Sequence, residues 1–262
     1  MLSTEFRIGA PNWLDLGSPD IPASAAFYGS VFGWEFESAG SESGGYGFFR
    51  KGGRTVAGIG SLTEEGAHPA WTVYFATPDA EAVAKTVEQA GGTVRVEAFD
   101  VMDAGRMACF TDPTGAEFAV WQPAAHQGFE VASEDDTLLW VELHTPDPSA
   151  ALAFYRALFG WRSQEMEVPG MIMSYSVISS ADGDQEDTSF GGVAPARPDE
   201  RTAWISYFGV ADPDAVATRV VAGGGSVLVP ASDIPEVGRM AFFADPAGAP
   251  FAVLKPNPRQ QG

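Results

Sequence analysis

Three ionisable side chains stand where an extended chain would display them for chemistry. Glu142 and His144 occur in Trp140-Val141-Glu142-Leu143-His144, and Asp15 occurs in Trp13-Leu14-Asp15-Leu16-Gly17. Residues i and i+2 of a strand share a face. Trp140, Glu142 and His144 therefore lie side by side, and so do Trp13, Asp15 and Gly17. A carboxylate beside an imidazole can move protons near neutral pH, which makes Asp15, Glu142 and His144 the candidate acid–base residues. A carboxylate taken out of water needs a donor or a task. His144 has no twin in the first segment, where Gly17 stands. It has two roles open to it: general base, or a structural histidine satisfied by its neighbours.

The elements that position these residues occur twice. Trp13-Leu14-Asp15-Leu16, Pro19-Asp20, Phe27-Tyr28 and Phe32-Gly33-Trp34 return 127 positions later as Trp140-Val141-Glu142-Leu143, Pro146-Asp147, Phe154-Tyr155 and Phe159-Gly160-Trp161. Gly105-Arg106-Met107-Ala108, Asp112-Pro113-Thr114-Gly115 and Phe118-Ala119-Val120 return 133 positions later as Gly238-Arg239-Met240-Ala241, Asp245-Pro246-Ala247-Gly248 and Phe251-Ala252-Val253. A repeat this long is a duplicated domain, not a solenoid unit. The boundaries are 8–122 for the first domain, 123–136 for a linker of small and acidic residues, and 137–256 for the second. The second copy is six residues longer, all of it between Trp161 and Gly191. That stretch holds Met166, Met171 and Met173, which could form a flap over a pocket or fill a core, and the acidic tract 182–187, a solvated loop.

Within each copy the pattern reads strand, helix, three strands, then the same again. In the first copy strands are expected at 12–18, 35–39, 47–50, 55–61, 70–76, 93–99, 106–111 and 116–122, with helices after Pro19-Asp20 and over 80–90. Asp147 caps the corresponding helix of the second copy, Pro148 opens it and Gly160 ends it.

Composition narrows the function. With 262 residues, 45% apolar and 12% aromatic, the chain can build two cores. Its net charge of −20 repels phosphate backbones and anionic lipid, so neither nucleic acid nor a membrane is an expected partner. The N-terminus lacks a signal pattern and no apolar run approaches a membrane span, so a cytoplasmic location is expected. Cys109 is the only cysteine and is expected to be a small buried apolar residue. Bias toward Arg, Ala and Gly points to a high-GC, actinobacterial genome.

The opening strand ending in Pro-Asp, the helix carrying Phe-Tyr and Phe-Gly-Trp, and the late Asp-Pro-x-Gly turn resemble the vicinal oxygen chelate superfamily. That group includes glyoxalase I, extradiol dioxygenases and bleomycin resistance proteins. The likeness runs over nearly the whole chain, twice, and is nearest to tandem actinobacterial members labelled glyoxalase-like or hydroxylase-like. It implies an α+β fold with tandem glyoxalase/bleomycin-resistance-like domains, in which four βαβββ modules form curved mixed sheets shaped as cups. The resemblance leaves the reaction open.

Metalloenzymes of this superfamily carry His, Gln or Glu on the first strand of each module and Glu on the last. The matching slots here hold Trp13, Thr72 and Ala119, then Trp140, Ile205 and Ala252. Trp, Ile and Ala cannot ligate a metal and Thr rarely does, so no metal and no other cofactor is expected. A displaced site would have to use Asp15, Glu117, Glu142 and His144. The aromatic residues on the inferred cup faces, Trp13, Tyr74, Trp121, Trp140 and Tyr207, suit a flat apolar ligand, or else fill the cups as core. Arg106 and Arg239 recur at equivalent places; they could grip an acidic ligand, neutralise the cup carboxylates, or form surface pairs near the Asp-Pro turn. The expected function is metal-independent binding of a hydrophobic or aromatic metabolite, with acid–base turnover at Asp15, Glu142 and His144 where chemistry occurs. The alternatives are a divalent-metal enzyme of glyoxalase, hydroxylase or dioxygenase type with displaced ligands, and an interaction module with filled cups. The chain is expected to be a monomer or a homodimer.

Overall fold

The computed structural model describes residues 2–41, 43–62, 66–167, 174–197 and 200–258. Of the three flap methionines, Met171 and Met173 fall outside these residues; Met166 is exposed.

The first copy runs β1 (Pro11–Ser18), α1 (Ile21–Phe32), β2 (Glu35–Ser38), β3 (Gly47–Lys51), β4 (Arg54–Ser61), β5 (Ala70–Ala76), α2 (Ala80–Gln89), β6 (Thr93–Val101), β7 (Gly105–Thr111) and β8 (Glu117–Pro123). The second runs β9 (Leu138–Thr145), α3 (Pro148–Phe159), β10 (Arg162–Glu167), β11 (Ser174–Ser179), β12 (Ser189–Pro195), β13 (Ala203–Gly209), α4 (Pro213–Ala222), β14 (Ser226–Ile234), β15 (Gly238–Ala244) and β16 (Pro250–Pro256). Each helix begins at an aspartate whose carboxylate accepts a first-turn N–H: Asp20 from Ala23, Asp79 from Ala82, Asp147 from Ala150, and Asp212 from Ala215. Such a cap is worth about 1 kcal/mol. α1 and α3 end at Gly33 and Gly160, whose φ angles of 72° and 68° favour a residue without a side chain.

The strands form two eight-stranded mixed sheets, ordered β2-β3-β4-β1-β5-β8-β7-β6 and β10-β11-β12-β9-β13-β16-β15-β14. The pairs β1/β4, β5/β8, β9/β12 and β13/β16 are parallel. Each sheet thus belongs to one copy of the repeat, but the compact units do not. One unit comprises residues 1–14, 72–130 and 140–205; the other comprises 15–71, 131–139 and 206–262.

In the second of these units α1 packs with α4. Its core surrounds Tyr28, whose hydroxyl donates to Asp245 Oδ2 at 3.3 Å and accepts from Trp71 Nε1 at 3.0 Å. Phe32, Trp34, Phe208 and Phe251 close around that contact. In the first unit α2 packs with α3, and Tyr155 plays the same part: it donates to Asp112 Oδ2 at 3.1 Å and accepts from Trp204 Nε1 at 2.8 Å, among Phe75, Phe118 and Trp161. Burial, then the adjacent aspartate, holds both phenols well above their ordinary pKa, so both stay protonated as donors. The sequence left the pairing of modules open. The cores decide it: a helix tyrosine of one copy binds the Asp-Pro-x-Gly turn of the other, joining the first module to the fourth and the second to the third. The same aspartates hold their turns, with Asp112 Oδ1 accepting from Thr114 N and Ala116 N, and Asp245 Oδ1 from Ala247 N and Ala249 N. Cys109, expected to be buried, is partly exposed.

Candidate functional site

β9 carries Trp140, Glu142 and His144 on one face, and the unit that contains it adds two partners. Tyr175 of β11 donates its hydroxyl to Glu142 Oε2 at 2.8 Å and accepts from Trp140 Nε1 at 3.0 Å. Glu142 Oε1 lies 2.7 Å from His144 Nε2. His144 Nδ1 lies 2.5 Å from Glu200 Oε1, and Glu200 Oε2 accepts from Arg197 N at 3.1 Å. The five side chains form one continuous hydrogen-bonded row. Its middle is dry, with Glu142 and His144 only 9% and 6% exposed, whereas Glu200 is partly open to water.

Local sequence makes this row possible at one point above all. β12 lies between β11 and β9, with Gly192 paired opposite Glu142. A Cβ at Gly192 would sit 2.0 Å from Tyr175 Oη. Only glycine leaves room for the phenol to cross β12 and reach the carboxylate.

Both ring nitrogens of His144 face carboxylates, so the ring is an imidazolium that donates twice. Burial opposes that charge, but the hydrogen bonds and fields of Glu142 and Glu200 outweigh it and raise the His144 pKa to about 9. The bond to His144 holds Glu200 below the ordinary carboxylate range. Burial and the neighbouring Glu142 charge hold Tyr175 well above the usual phenol value. At neutral pH a positive ring is clamped between two negative groups, with a neutral phenol at the buried end.

The other sequence candidates lie elsewhere. Trp13 packs edge-on against His126, ring centroids 4.5 Å apart, and Trp121 Nε1 donates to the His126 carbonyl at 2.8 Å. His126 comes from the stretch 123–136, read from sequence as a patternless linker; burial pushes its pKa down. Tyr74 is buried on β5 opposite Ala119. Asp15 is partly buried opposite Gly58 of β4. Tyr207 is buried against Phe242. Arg106 and Arg239, offered as ligand-binding residues, are engaged otherwise. Arg106 pairs with Glu81 and Asp100, and Arg239 with Asp214 and Asp233. Strand alternation puts Arg106 on the face of β7 that meets α2, with Ala108 and Phe110; there its charge reaches the first turn of that helix. The row's other members, Tyr175 and Glu200, were missed. Alternation along β11 signals Tyr175 only if the strand is recognised inside the longer second copy, and no local pattern marks Glu200.

Glyoxalase/Bleomycin resistance protein/Dioxygenase superfamily sequences match residues 10–120 and 137–253. The chain belongs to this superfamily. It is 41% identical over 262 residues to a Mycobacterium tuberculosis protein described as "Putative glyoxylase CFP32", covering 98% of each chain. It is 40% identical over 269 residues to the anthracycline biosynthesis protein DnrV of Streptomyces peucetius, covering 96% of this chain and 95% of that one. Among solved structures, the 2,3-dioxygenase LapB from Pseudomonas sp. KL28 superposes with a TM-score of 0.63 at 13% identity, covering 97% of this chain and 94% of that one. The Mn(II)-bound glyoxalase from Novosphingobium aromaticivorans gives 0.63 at 16%, covering 97% and 86%. At such identities the superpositions establish the shared fold.

The superfamily implies a divalent metal, and the residues present do not fit one. The first- and last-strand slots carry indole, hydroxyl and alkyl groups. Of the displaced candidates, Glu117 is an exposed partner of Arg95 at 2.8 Å. His144 has both nitrogens committed to carboxylates, so neither offers a lone pair. Among the described residues no three His, Cys, Asp or Glu side chains are arranged to hold an ion. Among them, too, no helix is long and apolar enough to cross a membrane.

Proposed function

We propose that the protein binds a small aromatic metabolite at the β9 row of its second copy and moves a proton on that ligand without a metal. One observation carries this: a hydrogen-bonded Tyr175–Glu142–His144–Glu200 row with a buried middle, where the superfamily's ligand slots hold no ligands. Burying a carboxylate and an imidazolium costs several kcal/mol per ion unless geometry repays it, and a β-sheet does not need such a group to fold. The descriptions of the relatives, one an "Anthracycline biosynthesis protein" and one a "Putative glyoxylase", support a small organic ligand.

In this reading Trp140 and Tyr175 supply flat contact area. Glu142 is the base: it takes a proton from an acidic O–H or C–H of the ligand and returns it at another position. His144 is a positioning residue, because its ring is already protonated near neutral pH. It stabilises Glu142, and Glu200 ties it to the solvent side. Asp15 has no imidazole beside it and is given no proton-transfer role.

Calorimetric titration with 2-naphthol, and deuterium entry at its C1 position in heavy water, test the proposal. Wild-type protein should bind and accelerate exchange, and Glu142→Gln should lose the exchange. Exchange unchanged in Glu142→Gln would refute the base assignment. Stoichiometric Zn, Ni, Fe or Mn in untagged protein, with function lost on chelation, would refute the metal-independent mechanism.

A further inference from the structure

The direction of every hydrogen bond in the β9 row bears on which ligands it can take. Trp140 spends its single N–H on Tyr175, Tyr175 spends its O–H on Glu142, and His144 spends both N–H groups on Glu142 and Glu200. Those are all the donors that the side chains of the row possess. What the row can turn to a ligand is acceptance: two carboxylates, and a phenol oxygen with a second lone pair beside the one Trp140 uses. The formal charge of Glu142, His144 and Glu200 together is −1. Arg197, a cation that acts on the row, is exposed and does so at Glu200, its outer end. Arg106 and Arg239, the cations that sequence suggested for an acidic ligand, are held in ion pairs at helix starts.

We infer that the β9 row selects ligands by their hydrogen-bond donors, hydroxyl or protonated amine, and rejects anions. This deepens the proposed function and rests on it. It sets this chain apart from a site built to chelate ligand oxygens, because the polarity is reversed: the protein accepts and the ligand donates. The rejected class includes carboxylates, phosphate esters and acyl thioesters of acidic carriers, since each would place negative charge against Glu142 where the row's own side chains have spent their N–H and O–H groups.

Four probes of one shape test this by calorimetry: 2-naphthol, 2-naphthylmethylammonium, 2-methoxynaphthalene and 2-naphthoate. A hydrogen bond to a charged group corresponds to about tenfold or more in affinity, so the hydroxyl and ammonium probes should each bind at least about tenfold tighter than the ether and the carboxylate. Glu142→Gln, which brings an amide donor to the same place, should draw 2-naphthoate to within about threefold of 2-naphthol. Tyr175→Phe, which releases the Trp140 N–H, should shrink the gap in the same direction should the first variant fold poorly. Equal affinity for all four probes, or preference for 2-naphthoate in the wild type, would overturn the inference while leaving a ligand site in place. Binding of none of the four would overturn the ligand-site reading itself, and the inference with it.

Discussion

β1 and β9 are the same strand in two copies, and they have diverged in what they ask of their surroundings. β9 holds Trp140, Glu142 and His144, and it recruits Tyr175 and Glu200 to satisfy them. β1 holds Trp13, Asp15 and Gly17 at the same places. There Trp13 meets His126, whose pKa burial lowers, so that a neutral ring packs edge-on against the indole. One copy keeps a charged imidazole locked between carboxylates; the other sets a neutral imidazole against a tryptophan. Equivalent places in the two sheets leave the difference to a few side chains. Exchanging Gly for His two positions after the carboxylate turns a face that packs into one that holds a hydrogen-bonded cation between carboxylates.

The contrast predicts its own breaking points. His144→Ala should be the most damaging change, because it strands the Glu142 carboxylate in a dry place and takes the imidazolium from Glu200; unfolding in denaturant should report a loss of about 3–5 kcal/mol. His144 has no counterpart to remove in the first copy, but neutralising that copy's strand carboxylate, Asp15→Asn, should cost under about 1 kcal/mol and leave 2-naphthol binding unaltered. Should Asp15→Asn prove as costly as His144→Ala, the two copies are not functionally distinct.

Gly192→Ala comes next. Its new methyl would overlap Tyr175 Oη, whereas a Cβ at Gly60, the β4 glycine paired with Gly17, would meet the Tyr46 ring no closer than 3.0 Å. The first substitution should cost about 1–3 kcal/mol and weaken 2-naphthol binding. Gly60→Ala should be milder on both measures. Equal effects would show that Tyr175 has no special place.

The pH dependence of stability reads the same buried cation without a substitution. His144 is raised in the fold from an ordinary 6.5 to about 9, so its contribution to stability is complete below pH 6.5 and is lost as pH climbs through 9. Glu200 is lowered, so its contribution is present above its ordinary 4.5 and is lost as pH falls further. Stability from the row should therefore plateau between about pH 4.5 and 6.5 and decline on the alkaline side. His144→Gln should flatten that alkaline decline. A wild-type curve that rises between pH 7 and 9, measured as denaturation midpoints, would contradict the doubly bonded imidazolium.

The repeat, the order of strands and helices, and the Asp caps and Gly stops were legible because each is a local signal: period-2 alternation, an aspartate before an apolar stripe, a glycine after it. Glu142 and His144 were legible for the same reason, being two apart on one strand. Tyr175 was not, since its partner lies two strands away and the contact depends on a missing Cβ at Gly192. Glu200 and His126 sit in connections with no periodicity. For the arginines the sequence left surface pairing and ligand binding both open, because their recurrence is visible along the chain while the helix-start carboxylates they pair with lie 25 residues off, at Glu81 and Asp214.

By itself the sequence determined two copies of a βαβββ pair, an acidic surface, and first strands whose faces carry aromatic and ionisable groups in place of metal ligands. Those follow from spacing along the chain, where geometry is fixed by the backbone period. Tertiary structure alone decided that Tyr28 reaches Asp245 and Tyr155 reaches Asp112, joining modules across the duplication, and that His144 is held as a cation by Glu142 and Glu200. Those depend on which side chains become neighbours in a dry interior, where an unpaired polar group is costly and a distant partner is therefore found.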